Sequence, residues 1–158
     1  MPAVATEAAT LARIQSHSGV TLIELVMGLV VASVLAAIAI PAYRSYVIRS
    51  QRSDAQTSLG QVQAAEERFF LRKGRYTADL SAPQNANPGG LGLSTRSDHA
   101  LYSLSVELTA SGYVARALRV PRKGQSDDTV CRSFSIDENG LKRALDRTGA
   151  DESSHCWR

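Results

Sequence analysis

From Val20 to Ile40 the chain is almost wholly apolar, and one charged residue, Glu24, interrupts the run of 21 residues. As a helix rising 1.5 Å per residue this segment is roughly 31 Å long, about the hydrocarbon thickness of a bilayer. Pro41 follows. It has no N–H to offer Ala37 and its ring crowds the preceding turn, so a kink is expected there. Helical pattern then resumes: Ala55, Leu59, Val62, Ala65 and Phe69 recur at spacings of three and four and make one apolar stripe. Arg52, Gln56, Gln63, Glu66 and Glu67 are read onto the opposite face, and Lys73-Gly74 is read as the helix end, with Gly74 at the C′ position.

Residues 77–98 hold Pro83, Pro88, Gly89, Gly90, Gly92, Asn85 and Asn87 and predict a loop. Beyond it the period changes to two. Tyr102, Leu104, Val106 and Leu108 alternate with Ser103, Ser105 and Glu107, as in a half-buried strand. Thr109–Gly112 is a hairpin-length turn, and residues 113–120 are a second strand whose buried face the pattern leaves open. Residues 130–137 predict a third strand with Phe134 and Ile136 inward. Asn139-Gly140 is a hairpin signal, and residues 141–146 are a fourth, weaker strand. An amphipathic helix and a one-faced antiparallel meander each need the other to bury apolar surface. The expected fold is therefore α+β: a long helical spine packed on a small sheet of about four strands.

Composition adds the covalent staple. Outside the apolar run the chain is polar and supports only a small core. Its two cysteines, Cys131 and Cys156, both follow the run. If that side is extracytoplasmic, a disulfide is the default, contributing roughly 3–4 kcal/mol in the chain-entropy model. It would pin the C-terminal tail, with Trp157 as a packing anchor, to the third strand. Charge is balanced, with 18 Lys and Arg against 15 Asp and Glu, and no block of like charge marks a dedicated nucleic-acid face. Arg116, Arg119, Arg122 and Lys123 make a modest basic stretch. It is a candidate DNA contact, although a solvated strand edge is the plainer reading. No Ser/His/Asp order suggests catalysis, and Gly89-Gly90-Leu91-Gly92 lies in a proline-rich loop, not between strand and helix. His99 and His155 beside the cysteines lack metal-ligand spacing. Neither enzymatic activity, nor a cofactor, nor a bound metal is expected.

Glu24 needs a partner, because a charged carboxylate in such a segment costs on the order of a few kcal/mol. Gly19 followed by Val20-Thr21-Leu22-Ile23-Glu24-Leu25, the apolar run and Ala39-Ile40-Pro41-Ala42-Tyr43 resembles the leader junction and N-terminal helix of type IV pilins. Arg75-Tyr76-Thr77, Pro121, Asp127, Asp137 to Gly140 and the closing Cys156-Trp157 are similar to the PilE-like minor pilins. The resemblance implies a leader over residues 1–19, a membrane and filament-core helix over 20–40, the amphipathic half of the spine over 41–73 and a sheet head over 74–158. It implies cleavage after Gly19 by prepilin peptidase and N-methylation of Val20. It also implies passage from the inner membrane, through an assembly platform, into a filament of other pilins. Glu24 would face the new amine of Val20, since residues i and i+4 share a helix face. A neighbouring copy would offer the less strained partner and so set an axial stagger.

Further readings are weighed, among them a major pilin and a membrane-anchored enzyme. A type II secretion pseudopilin shares the assembly, and a competence pilin adds DNA binding. A signal-peptidase site at Ala37-Ile38-Ala39 would instead release a free domain. Gly28, Ala32 and Ala36 form a small-residue row that permits close helix approach. Arg44, Arg49 and Arg52 flank the run on its C-terminal side, so the positive-inside count alone places that side in the cytoplasm. The resemblance implies the reverse, and the longer motif is the one followed.

Overall fold

A computed structural model of the chain describes residues 19–121 and 128–158. Residues 1–18 of the expected 1–19 leader and the loop residues 122–127 lie outside the described residues. The element order is α1 (Leu22–Lys73), β1 (Tyr102–Leu108), β2 (Tyr113–Arg119), β3 (Ser133–Asp137), β4 (Lys142–Leu145) and a one-turn α2 (Ser153–Cys156). The chain divides into two units at Ile40/Pro41.

In the first unit every side chain from Val20 to Ile40 is exposed, and this part of α1 is long and apolar enough to cross a membrane. Pro41 sits inside α1, so the spine is one helical element of 52 residues, as expected. Its far end is as expected: Gly74 has φ +68° and donates its N–H to Phe70 O at 2.8 Å. Only glycine adopts that conformation without steric cost.

In the second unit the four strands form an antiparallel meander in the order β1-β2-β3-β4. The face that sequence left open in β2 is resolved by register. Leu104 lies opposite Ala117 and Val106 opposite Ala115, so Tyr113, Ala115, Ala117 and Arg119 point inward. Phe134 and Ile136 continue the inner face on β3. Leu108, which the alternation placed inward, ends β1 half-exposed. The inner face and Ala55, Leu59, Val62, Ala65 and Phe69 of α1 form one core. Leu80 and Leu91 of the long loop plug into it. The loop fastens through Leu91 N–H to Asp79 O, Gly92 N–H to Ala82 O and Leu93 N–H to Leu80 O, at 2.7 to 3.0 Å.

β3 starts three residues later than the pattern suggested. The amides of Val130 and Cys131 are taken by Asp128 Oδ1 at 3.2 and 3.1 Å, so they do not enter the ladder. Four residues, 138–141, connect β3 to β4. Asp137 Oδ1 accepts from the amides of Asn139 and Leu141, and Gly140 alone has positive φ, at 78°. Cys131 and Cys156 are disulfide-bonded, as expected. Trp157 docks edge-on to Phe134 and donates Nε1–H to Arg143 O at 3.0 Å.

Glu66 is the main correction to the helix. Read onto the solvated face, it is fully buried. Spacing explains why, since 55, 59, 62, 66 and 69 is itself a run of fours and threes, and the buried arc of α1 is wide enough to take Asp54 and Ser58 as well.

Candidate functional site

The first candidate site is the start of α1. Thr21 caps it: Thr21 Oγ1 accepts the Glu24 amide at 3.2 Å, and Thr21 O accepts the Leu25 amide at 3.1 Å. Thr21-Leu22-Ile23-Glu24 thus has the threonine and N3 glutamate of a capping box, a signal present in the sequence and missed there. The cap positions Glu24 in the first helical turn, where the macrodipole favours negative charge. The Glu24 carboxylate has neither an ion pair nor a hydrogen bond among the described residues, and it is exposed, as is Val20 one helical turn before it.

The second candidate is the basic stretch on β2, and the structure does not assemble it as read. Side chains alternate between faces of a strand, so Arg116 and Arg119, three apart, must point to opposite sides. Arg116 lies on the exposed outer face with Glu107 at 3.2 Å. Arg119 is buried and ties the core: its Nη2 donates to Gln51 Oε1 at 2.6 Å and its Nη1 to Tyr102 OH at 3.3 Å. It is therefore removed from the candidate contact. Arg122 and Lys123 lie outside the described residues. Sequence missed that register aligns Arg116, Ser135 and Arg143 in one row across β2, β3 and β4 on the outer face. This row lines a shallow groove of about 350 Å³.

A third set of contacts fastens α1 to the head. Arg52 donates Nε–H and Nη2–H to the two carboxylate oxygens of Asp128 at 2.6 and 3.1 Å, and both side chains are largely buried. Burial alone pushes the Asp128 carboxyl up. The Arg52 hydrogen bonds and charge, with the amides of Cys131 and Val130, outweigh it and hold the group below its usual range. Gln56 Nε2–H donates to Cys156 O at 2.9 Å. The same region of α1 thus grips both ends of the disulfide-bonded segment. With both cysteines oxidised to one another, neither is available as a thiolate ligand.

Glu66 is the electrostatic opposite of Asp128. Its Oε2 accepts the Thr77 amide at 3.2 Å, while Oε1 has no partner among the described residues. Desolvation raises its pKa to about 7, with Glu67 adding to the rise and the Thr77 amide opposing it. Tyr113, buried with an unpartnered hydroxyl, is pushed up by the same desolvation and by the surrounding carboxylates.

A helical spine whose first half is apolar all round, a four-stranded meander on its second half and a disulfide-closed C-terminus define a pilin-like α+β architecture. The family model described as "Type IV minor pilin ComP, DNA uptake sequence receptor" matches residues 41–135, more than half of the chain, and the chain belongs to that type IV minor pilin family. Among curated proteins it is 43% identical over 68 residues to fimbrial protein EcpC of Eikenella corrodens, covering 43% of this chain and 44% of that one. It is 38% identical over 78 residues to the type IV major pilin PilA of Myxococcus xanthus, covering 47% and 36%. It is 33% identical over 72 residues to the type IV major pilin PilE1 of Neisseria gonorrhoeae, covering 46% and 40%. In each case the match spans less than half of the relative's length.

Proposed function

We propose that this chain is a non-enzymatic subunit of a type IV pilus, a minor pilin held in the inner membrane by residues 20–40 and then assembled with other pilins into a filament. In this reading prepilin peptidase cuts after Gly19, Val20 becomes the N-methylated terminus, and an assembly platform extracts the mature chain. The observation that carries the proposal is Glu24: a carboxylate without a partner among the described residues, on an exposed apolar helical segment, in a chain of the minor pilin family. Such a group is tolerable in lipid or in a helical core only with a counter-charge. Cleavage after Gly19 supplies one by creating an ammonium at Val20. Intact-mass measurement of the protein from cell envelopes should give a chain beginning at Val20 with one added methyl. An uncut leader, or a chain beginning at Ile40, would overturn the reading. Protease accessibility of the head in intact spheroplasts fixes its side of the membrane, and a cytoplasmic head would sink it as well.

A second reading, DNA capture, is favoured by the family's description as a DNA uptake sequence receptor. The surface that suits it is the outer row of Arg116 and Arg143 with Ser135 between them. Backbone phosphates would exchange with Glu107 for Arg116. Duplex binding should weaken steeply with salt and fall with Arg116→Gln and Arg143→Gln. Binding unchanged in the double variant would exclude this row.

A further inference from the structure

Beyond the row on the sheet, a second basic concavity lies on the other side of the head. Ser45, Ile48, Arg49 and Arg52 of α1 face His155 and Arg158 of the C-terminal segment across a cavity of about 350 Å³. No acidic side chain among the described residues lines it. Arg52 is already matched by Asp128, but Arg49 and Arg158 are exposed, and neither has a carboxylate partner among the described residues. Two unmatched guanidiniums and an imidazole therefore converge on a space the size of a small-ligand pocket, beside a Ser45 hydroxyl that already donates to Pro41 O at 3.1 Å. Guanidinium groups favour phosphate because their paired N–H donors match its oxygens.

We propose that this cavity binds the phosphate of an anionic phospholipid headgroup, anchoring the head of the membrane-stored subunit. The inference rests on the reading of residues 20–40 as a membrane span. Two observations select a lipid over a nucleic acid. Ser45 and Arg49 follow Ile40, the last residue of the apolar run, by only five and nine positions in the chain. The donors also cluster around one compact, half-open space with an aliphatic wall, Ile48, whereas successive nucleic-acid phosphates need an extended track of cations. A headgroup phosphate with its glycerol backbone offers both an anion for the arginines and carbon for Ile48.

The test uses the full chain, labelled with ¹⁵N-arginine and reconstituted into phosphatidylcholine bilayers without or with phosphatidylglycerol. Phosphatidylglycerol should shift the Nε–H resonances of Arg49 and Arg158 saturably. Arg158→Gln read at Arg49, and Arg49→Gln read at Arg158, should each weaken the response roughly tenfold, the scale of one charge-assisted hydrogen bond. Both residues are exposed, so these variants keep the fold, and unchanged core methyl resonances verify it. An equal response to millimolar inorganic phosphate in phosphatidylcholine bilayers would assign the site to free phosphate and overturn the headgroup. A response to a 20-base-pair duplex alone would assign it to DNA and overturn the proposal. So would a reconstituted protein that responds to none of these probes. A chain that fails to enter bilayers at all would instead overturn the membrane reading beneath it.

Discussion

Glu66 and Asp128 show how two buried carboxylates in one small head acquire opposite dependence on pH. Glu66 has a folded pKa raised from 4.5 to about 7. Between those values the folded chain keeps a proton that the unfolded chain has released. Its contribution to stability is thus intact below pH 4.5 and is lost as pH rises toward 7, a loss on the order of 3 kcal/mol. Glu66→Gln removes that loss while keeping an acceptor for the Thr77 amide. Thermal melts should find the variant more stable than the parent at pH 8 and equal to it near pH 4, and a constant difference across that range would contradict the assignment. Asp128 runs the other way. Its depressed pKa contributes stability above the ordinary carboxylate range that is lost as the solution is acidified through the folded value. Arg52→Gln leaves the Asp128 carboxylate buried without its guanidinium, and should cost about 3 kcal/mol or more in denaturant unfolding. Arg52→Gln with Asp128→Asn should recover part of that loss. Simple additivity in the cycle would mean that the pair does not act as a unit.

At the level of elements, the parts that burial dictates were readable from periodicity. The stripe from Ala55 to Phe69, the alternation in Tyr102–Val106, the inward Phe134 and Ile136 and the turn at Gly140 follow from spacings of 3.6 and 2 that any packed helix or strand must show. The polar contacts that join elements were not readable, because the partners are far apart in the chain. Arg52 meets Asp128 across 76 positions and Gln56 meets Cys156 across 100, and no local pattern encodes either pairing. Arg119 was misread for a related reason: a run of basic residues looks like a patch, yet a strand splits its odd and even members between core and solvent. Glu66 was misread because polarity was given more weight than spacing. The disulfide was legible as a pairing, since only two cysteines exist. Its role in closing the segment that Asp128 and Gln56 hold was not. Replacing Cys131 and Cys156 by serine should destabilise the head by roughly 3–4 kcal/mol. A melting temperature unmoved by the replacement would show that the polar latch alone holds the tail. Gly90→Ala tests the long loop. A Cβ there would meet Asp79 O at 2.5 Å and Ala82 O at 2.8 Å, both backbone atoms, so the loop must shift. Faster hydrogen exchange at the Leu91 and Leu93 amides should report it, with the strands keeping their protection.

For the molecule as a whole, the two units have different tasks, and the physics separates them. Residues 41–158 carry the core, the disulfide and the latch, and they account for their own burial. Residues 19–40 bury nothing against the other described residues and expose an apolar surface that water does not tolerate at this size. In the proposed reading the surface is covered first by lipid and then, in the filament, by other apolar helices. Glu24 is the one group for which those two environments differ in kind. In the proposed reading, Val20 of the uncut chain is an amide and the Glu24 carboxylate has only the helix dipole, at the edge of the bilayer. Cleavage as proposed would place an ammonium four residues away, and in a dry helical core the pair would be stable only if both charges met. Glu24→Ala removes the carboxylate without disturbing the Thr21 cap, whose acceptor serves the backbone amide of residue 24. Membrane insertion and cleavage after Gly19 should therefore persist, measured by envelope fractionation and intact mass. Incorporation into sheared filaments, measured against the parent by immunoblot, should fall by tenfold or more, the consequence of an unpaired buried ammonium costing on the order of 3 kcal/mol. Equal incorporation would mean that Glu24 serves the helix start alone and that the filament aligns its subunits by other contacts.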